Sequence, residues 1–337
     1  MRNVPPWLRM LLWPLSLLYG LCARARVWLY RSGWIKQERL KAAVISVGNL
    51  TVGGTGKTPI VIWLAERFLA EGKRVAILSR GYRGTSGTSD EIELMKSRLQ
   101  GRVSFGVGKN RYAEGQRLAS QQPVDIFLVD DGFQHLQLAR DVNILLVDAS
   151  RPLRNESFIP SGRLREPLSA IHRADIVVFT RVNDQFSVKR AIQEFPESPI
   201  FPAATCLLHY RRLTADRQAF DPHMELPPQP VFVFCGIGNP DAFFADVDRW
   251  GNCIAGRAIY RDHHSYTARD LRRLEDSAKG AGARALLTTE KDAQNLGGLR
   301  CSSLPVYYCE IEVKIADTEE FQKTLKHKLE QRNGVAA

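Results

Sequence analysis

The chain has 337 residues, of which 44% are hydrophobic and 25% charged, and its formal net charge is +11. This composition supplies enough apolar side chains for one large or two ordinary cores and excludes a disordered or fibrous protein. The six cysteines form no Cys-x-x-Cys pair, which indicates reduced thiols rather than a metal site or a disulfide framework. The positive charge predicts an anionic partner, and nucleic acid, a phospholipid surface and a phosphorylated substrate all meet that requirement.

An apolar segment rich in Trp and Leu runs from Trp7 to Tyr30 near the start of the chain. Its stretch without a charged residue, Met10 to Ala23, is about 14 residues, shorter than the ~20 that a membrane-spanning helix needs. Arginines follow this stretch, so the pattern favours a helix in the membrane interface with aromatic rings at headgroup depth. Two alternatives stay open: a signal peptide cleaved near Ala23-Arg24-Ala25, and an amphipathic helix packed against its own domain.

A glycine-rich loop follows an apolar strand at residues 44–58, VISVGNLTVGGTGKT, and leads into an apolar helix. This context is typical of a phosphate-binding loop, in which the backbone N–H groups of Gly53, Gly54 and Gly56 surround phosphate oxygens. Lys57 supplies a cation for the β- and γ-phosphates, and the Thr58 hydroxyl is a candidate ligand of Mg²⁺. The alternative is a glycine-rich turn with an exposed lysine. Thr51 stands where the usual pattern, G-x-x-x-x-G-K-[ST], has its first glycine.

Strand and helix patterns alternate after this loop, which predicts a parallel sheet with helices on both faces, that is, a P-loop NTPase-like α/β domain. A proline-rich stretch at 226–230 precedes a second, smaller α/β series. The first series comprises helix 58–71, strand Arg74–Leu78, a polar loop, a helix near 109–121, and strands Ile126–Val129, Val142–Val147 and Ile176–Phe179. The second comprises strands Val231–Phe234 and Ile254–Tyr260, helix 268–280, strands Ala285–Thr288 and Val306–Cys309, and a terminal helix. We predict an interfacial anchor over 1–35, a P-loop domain over 36–215 and a second domain over 216–337 that faces the first.

Polar residues cluster where the predicted strands end, and parallel sheets bind ligands at that edge. Asp130 and Asp131 follow an apolar strand as a Walker B carboxylate does, which places them near the Mg²⁺ that bridges nucleotide phosphates. For each of these two residues taken singly, the alternative is a structural role as a cap of the turn that follows. His135 either satisfies a strand-end carbonyl or contacts a substrate.

Two further polar groups have open interpretations. Ser89-Asp90-Glu91 lies in the predicted polar loop, where an acidic pair is usually just solvated. Asp262-His263-His264 resembles a metal-ligand cluster, but it suits acid–base chemistry equally well and has no third ligand at useful spacing. It precedes a predicted capping box at Thr267-Ala268-Arg269-Asp270, so it lies where a helix of the second domain begins.

Eight motifs in order carry a resemblance to one family. They are GNLTVGGTGKTP, SRGY, SDE, DDGFQH, SGRLREP, GIGNP, DHHSY and TEKDA, and they extend from about residue 10 to 320. In this order the chain resembles the tetraacyldisaccharide 4'-kinases, which also share Thr51. The resemblance implies ATP-dependent phosphorylation of the 4'-hydroxyl of an acylated disaccharide 1-phosphate, giving lipid IVA in lipopolysaccharide biosynthesis. It also implies a peripheral location on the cytoplasmic face of an inner membrane, with ATP, Mg²⁺, the lipid substrate and the membrane surface as partners and no nucleic acid.

The resemblance also implies roles for individual residues. The nucleotide residues are Thr51, Gly53, Gly54, Thr55, Gly56, Lys57 and Thr58. The magnesium ligands are Thr58, Asp130, Asp131 and Glu166. Candidates for contacting the substrate or the transferring charge are Arg80, Arg83, Gln134, His135, Arg163 and Arg165.

Asp90 and His263 fall on the family's catalytic Asp and its partner His, and Lys57 completes the catalytic set. The family's Gly-Asp-Glu-Pro sequence is replaced here by Ser89-Asp90-Glu91-Ile92, in a loop that looks shorter than usual. With Asp90 in the first domain and His263 in the second, we expect the pair to meet only when the domains close over ATP, and then to take the sugar hydroxyl proton.

Two other classes of protein share part of the pattern. A P-loop GTPase-type switch or metal-insertion chaperone would share the loop and the sheet, and Thr289-Glu290-Lys291-Asp292 faintly resembles the base-reading motif of GTPases, although Asn-Lys-x-Asp is absent. A nucleic-acid-binding ATPase would explain the positive charge, but it gives the apolar N-terminal segment no role. Nucleotide preference and stimulation by lipid micelles or by polynucleotide discriminate among the three.

Overall fold

The computed structural model describes residues 6–81, 89–151, 153, 156–182, 198–213, 226–299, 301 and 303–333. The chain separates into two compact units. Unit 1 comprises Met1–Arg83, Met95–Ala204 and Val313–Ala337, and unit 2 comprises Gly84–Leu94 and Thr205–Glu312. This division differs from the one predicted from the sequence, because it assigns the C-terminal segment to unit 1 and the short segment that contains Asp90 to unit 2.

The secondary structure is mixed α/β, as predicted. In chain order the described helices are α1 (Pro6–Arg31), α2 (Lys57–Ala70), α3 (Asp90–Leu99), α4 (Arg111–Gln121), α5 (Pro240–Arg249), α6 (Ala268–Gly280), α7 (Glu290–Asn295) and α8 (Thr318–Asn333), with a 3₁₀ helix at Leu168–Arg173. The described strands are β1 (Ala43–Asn49), β2 (Val75–Ser79), β3 (Ser104–Val107), β4 (Ile126–Asp130), β5 (Val142–Asp148), β6 (Ile176–Thr180), β7 (Ile200–Arg212), β8 (Val231–Cys235), β9 (Ile254–Ile259), β10 (Ala285–Thr289) and β11 (Val306–Ile315).

Unit 1 contains a parallel sheet with the strand order β3-β2-β4-β1-β5-β6-β7. All residues of β2, β4, β5 and β6 are buried, as expected for parallel strands that are covered on both faces. Strand β1 pairs with β4 on one side and with β5 on the other. The carboxyl ends of β1 and β4 therefore lie side by side, and the segments that follow Asn49 and Asp130 leave the sheet at the same edge.

Unit 2 contains strands in the order β7-β11-β10-β8-β9, and β8, β9, β10 and β11 pair in parallel. Successive side chains of β8 point to opposite faces, so the strand serves two cores. Val231 and Val233 pack with Phe244 of α5. Phe232 and Phe234 pack in the other core, with α6. The helices therefore cover both faces of this sheet.

The predicted polar loop that was to hold Asp90 is wrong, because Asp90 begins α3. The Ser89 hydroxyl accepts a hydrogen bond from the backbone N–H of Ile92, as in a helix cap. Ile92, Met95 and Leu99 are fully buried and lie on one face of the helix. That spacing was the available signal, and the charged residues between these positions obscured it.

Helix α1 passes through Pro14 without interruption and packs against unit 1 along one side. The Ser16 hydroxyl donates to the Ser161 hydroxyl at 2.8 Å, and the Tyr19 hydroxyl donates to the Arg165 carbonyl at 3.0 Å. Gly20 lies so close to Phe158 that an added Cβ would be 2.7 Å from the ring. On this side, α1 therefore packs against its own domain, as the alternative of an amphipathic helix predicted.

The other side of α1 exposes large apolar side chains. Trp7 and Leu11 are each 69% exposed and Met10 is 80% exposed. The rest of this exposed apolar face consists of Trp13, Leu15, Leu17, Leu18, Leu21 and Trp28. Within the described part of the chain, no helix is long and apolar enough to cross a membrane.

Candidate active site

The glycine loop connects β1 to α2 at the carboxyl edge of the unit 1 sheet. Gly53 has a φ of 115° and Gly56 a φ of 83°, a backbone region in which side chains other than hydrogen are disfavoured. Gly56 is also the N-cap of α2, and Lys57 and Thr58 occupy the first turn of that helix. The N–H groups at this helix N-terminus favour a bound anion, as the sequence predicted.

Asn49, at the end of β1, holds the loop in place and was missed by the sequence analysis. Its side-chain amide donates to the Thr55 hydroxyl at 2.8 Å. Its side-chain oxygen accepts from Lys57 at 3.4 Å and also from the Arg165 guanidinium. Its backbone carbonyl accepts from Gln134 at 2.8 Å. The loop is therefore tied to the segments after β4 and before the 3₁₀ helix through one buried residue.

Asp131 is the main anionic partner of Lys57. Its carboxylate lies 3.6 Å from Lys57 Nζ and accepts two hydrogen bonds of 2.8 Å from Arg165. Burial alone would raise the pKa of Asp131, but Lys57 and Arg165 more than offset burial and hold that pKa well below its usual range. Asp131 has a φ of 49°, in the left-handed region, so the chain leaves the extended path of β4 at this residue. The residue is therefore a fixed negative charge beside the phosphate loop.

The other predicted magnesium carboxylates, Asp130 and Glu166, are buried. Asp130 accepts from the Ser79 hydroxyl at 3.4 Å. Glu166 forms an ion pair with Arg173, whose guanidinium stacks 4.6 Å from the centre of the Phe133 ring. Hydroxyl and carboxylate oxygens are the ligands that Mg²⁺ prefers, so the chemistry of Thr58, Asp130, Asp131 and Glu166 suits this ion. Among the described residues, however, the three carboxylates are not gathered into one group that could hold a metal.

His135 and Gln134 follow the acidic pair and have buried polar atoms without a described partner, namely His135 Nε2 and Gln134 Oε1. Burial lowers the pKa of His135 to about 4, assisted by Arg111, Arg140, Arg26 and Arg80. The imidazole is therefore neutral near pH 7. A neutral ring among four guanidinium groups marks a positive region that suits an anionic ligand.

The predicted arginines differ in their surroundings. Arg80 is close enough to lower the pKa of both Arg111 and His135. Arg163 pairs with Glu156 at 3.0 Å, within its own loop, which is a structural role. Arg165 holds Asp131. Arg83 lies outside the described residues.

In unit 2 the structure brings Asp90 and His263 together. His263 Nδ1 lies 3.0 Å from Asp90 Oδ2, and the Asn295 amide donates to the same oxygen at 2.9 Å. Burial raises the pKa of Asp90, but these two hydrogen bonds together with the positive charge of Lys291 outweigh burial and leave the pKa below its usual value. Both residues belong to unit 2, so the expectation that they meet only on closure of two domains is wrong.

The loop that carries His263 is held by a buried carboxylate. Asp292 accepts from the Gly236 N–H and from the Tyr266 hydroxyl, each at 2.9 Å. The Gly236 carbonyl in turn accepts from the His263 N–H at 3.2 Å. His263 has a φ of 59°, which is strained for a residue with a side chain and requires such support. Asp292 is therefore used inside unit 2 and does not read a guanine base.

His264 has a structural environment, in contrast to its neighbour. Its ring stacks on Tyr260 at 4.6 Å between centroids and its Nε2 lies 3.3 Å from Asp270. Asp270 and Thr267 form the predicted capping box of α6. No group of three or more His, Cys, Asp or Glu side chains able to hold a metal occurs among the described residues. The interpretation of 262–264 as a metal cluster therefore has no support in that part of the chain.

Comparisons with known proteins agree on one family. A family model for LpxK, tetraacyldisaccharide-1-P 4'-kinase, matches residues 8–330. The tetraacyldisaccharide 4'-kinase of Geobacter metallireducens is 36% identical over 331 residues, which cover 92% of this chain and 95% of that protein. The corresponding kinase of Geobacter sulfurreducens is 37% identical over 332 residues, with coverages of 91% and 90%. The crystal structure of LpxK from Aquifex aeolicus in complex with ATP has a TM-score of 0.72 and 30% identity, and the match covers 96% of this chain and 99% of that one.

We expect Asn49→Ala to weaken ATP binding by roughly tenfold or more, because Thr55 and Arg165 lose a buried partner, at about 1–3 kcal/mol for each group left unpaired. Isothermal titration calorimetry with ATP measures the effect. Asn110→Ala is the control, since Asn110 caps α4 through a 3.1 Å hydrogen bond and its loss costs about 1 kcal/mol of stability without reaching the loop. Wild-type ATP affinity in Asn49→Ala would show that the amide does not organise the loop.

Proposed function

Because the chain belongs to the tetraacyldisaccharide-1-phosphate 4'-kinase family, we propose that it phosphorylates its lipid substrate at a membrane surface with the residues described above. The reaction transfers the terminal phosphoryl group of ATP to the 4'-hydroxyl of a tetraacyldisaccharide 1-phosphate in lipid A biosynthesis. The glycine loop with Lys57 beside Asp131 is the observation that carries this proposal for the ATP end of the reaction.

The phosphates of ATP bind at the N-terminus of α2, where backbone N–H groups and Lys57 meet their negative charge. Phosphoryl transfer depends mainly on positioning and on electrostatic stabilisation of the phosphoryl oxygens. Asn49 fixes the loop, and Arg165 fixes the Asp131 carboxylate against which Lys57 lies. The Lys57 ammonium is therefore held in place before ATP binds. Lys57 can exchange Asp131 for a phosphate oxygen at little electrostatic cost, because Asp131 keeps Arg165 as a partner.

Thr58, Asp130, Asp131 and Glu166 are the residues that would hold Mg²⁺. Bound Mg²⁺ neutralises phosphate charge and aligns the phosphate oxygens for displacement. Asp131 suits this role because its lowered pKa keeps the carboxylate ionised throughout the neutral range. Glu166 is also paired, with Arg173, and this contact fixes the orientation of its carboxylate.

Asp90 and His263 serve the acceptor hydroxyl. A phosphoryl acceptor must lose its proton, and an ionised carboxylate that is oriented by an imidazole can accept it. His263 and Asn295 both reach Oδ2 of Asp90, so Oδ1 is the oxygen that can face the sugar hydroxyl. The lowered pKa of Asp90 keeps this acceptor ionised at neutral pH.

The positive region around His135 is suited to a phosphate of the substrate. Arg26 donates to the Gln134 carbonyl at 3.1 Å, and Arg111 donates to the Asp130 carbonyl at 3.2 Å, so the region is built from α1, α4 and the end of β4. The unpaired Gln134 Oε1 and His135 Nε2 add neutral polar atoms for a sugar hydroxyl.

We further propose that α1 rests in the interface of the cytoplasmic leaflet of an inner membrane. Its outer side exposes Trp, Leu and Met while its inner side is packed on unit 1. Residues 1–41 carry eight Lys and Arg but one acidic residue, which suits an anionic headgroup surface. An amphipathic helix on the surface gives the enzyme access to a substrate whose acyl chains stay in the bilayer.

Lys57→Ala should lower kcat by at least about 10²-fold, because a cation that stabilises the transferring charge is lost. Transfer of radiolabelled phosphate from ATP to the disaccharide 1-phosphate in detergent micelles measures it. Lys73→Ala replaces an exposed lysine of the same unit and should keep full activity. No transfer by the wild-type enzyme would overturn the assigned reaction, whereas near-normal kcat in Lys57→Ala would overturn only the role of the lysine.

Replacing Trp7, Leu11 and Leu18 together by Gln should reduce binding to anionic phospholipid vesicles by more than tenfold, since each large apolar side chain contributes about 1.5–3 kcal/mol when buried. Cosedimentation with vesicles measures the bound fraction, and ATP affinity should not change. Leu226→Gln is the control, because Leu226 is 75% exposed but lies outside α1. Retention of the triple variant on vesicles at high salt would place the lipid contact elsewhere.

A further inference from the structure

Lys291, in α7, is a charged side chain that is only 17% exposed and has no role in the reaction as described so far. It belongs to the TEKDA motif of the sequence. Its ammonium lies 3.2 Å from Asp262 Oδ1, 3.4 Å from Glu91 Oε1 and 3.4 Å from His263 Nε2. A lysine this buried requires compensation, and two carboxylates supply it.

The position of Lys291 restricts the protonation of His263. Nε2 of the imidazole lies 3.4 Å from the Lys291 ammonium, 3.5 Å from Glu91 Oε1 and 3.9 Å from Asp262 Oδ1. An ammonium group has donors only, so it favours a lone pair on Nε2, whereas the two carboxylates favour a proton there. In the neutral ring that Lys291 favours, the proton is on Nδ1, which lies 3.0 Å from Asp90 Oδ2.

We propose that Lys291 is a positioning residue of the kinase reaction, which opposes the carboxylates around His263 and favours its neutral form, with the proton on Nδ1 and directed at Asp90. This inference rests on the proposed role of Asp90 and His263 at the acceptor hydroxyl. In this arrangement the Nδ1–H of His263 orients the Asp90 carboxylate, which receives the proton of the acceptor hydroxyl, while the Nε2 lone pair faces Lys291.

The charges around the ring make such a lysine necessary. Asp90, Glu91 and Asp262 all face His263, from α3 and from its own loop, and each raises the pKa of the imidazole. The hydrogen bond to Asp90 is the largest of these influences, and although burial and Lys291 lower the pKa of His263, the net result is a raised pKa. Without the ammonium this pKa would be raised further, and an imidazolium beside Asp90 weakens that carboxylate as a base. Lys291 therefore keeps the Asp90–His263 pair active at lower pH than the pair would be without this lysine.

Substitutions on the two sides of the ring have opposite expected effects. Lys291→Met removes a cation, so it should move the acidic limb of the kcat/KM profile upward by about one pH unit. Glu91→Gln removes an anion, so it should move the same limb downward. Lys291→Arg keeps the charge and should retain most of the wild-type profile. Lys279→Met is the control, since Lys279 lies 50% exposed in α6 and should change nothing.

The experiment compares these profiles in the micelle phosphotransfer assay, together with the titration of ¹⁵N-labelled histidine by NMR. We expect an Nδ1–H tautomer in the wild type and a higher His263 pKa in Lys291→Met. If that variant does not fold, the downward shift in Glu91→Gln still tests the electrostatic claim. If the acidic limb of the kcat/KM profile stays at its wild-type pH in both Lys291→Met and Glu91→Gln while His263→Ala is strongly impaired, only the role of Lys291 is overturned. Full activity of His263→Ala would instead overturn the proposed Asp90–His263 pair.

Discussion

The half-buried Asp131 carboxylate, held between Lys57 and Arg165, is the constraint around which the ATP end of the enzyme is organised. A carboxylate in this position is costly unless cations lie beside it, and Lys57 and Arg165 supply that compensation. Arg165 also binds Asn49, which fixes the Thr55 hydroxyl. The phosphate loop, the end of β4 and the segment before the 3₁₀ helix are therefore held in one network, and the cation that meets ATP is already in place.

The acceptor end uses the same principle with a different set of charges. Asp292 fixes the turn at Gly236 from inside unit 2, and that turn supports the strained backbone of His263. Asp90 and Lys291 then contact the two nitrogens of the ring. In both units a carboxylate orients a basic group that has a chemical task. We infer that ion pairing here serves orientation more than stability, since buried pairs contribute little net stability.

The local parts of this structure could be predicted from the sequence, because short patterns determine them. Continuous apolar runs such as β5 identify parallel strands, and the glycines before Lys57 identify the loop. The hydrogen-bond network around Asn49 could not be predicted from the sequence, because Arg165 lies 116 positions away from Asn49 in the chain. Helix α3 was not predicted, because the charged residues in its sequence obscure the spacing of its buried apolar residues. The position of Asp90 beside His263 was also not predictable, because the two residues lie 173 positions apart in the chain.

The measurement that tests the mechanism most directly is a double-mutant cycle on kcat with Asp90→Ala, His263→Ala and the double variant. Two residues that share one proton-transfer task lose their contribution together, so we expect each single substitution to lower kcat by about 10²-fold or more and the double variant to be little worse. Losses that multiply in the double variant would show that the residues act independently and would contradict the proposed pair.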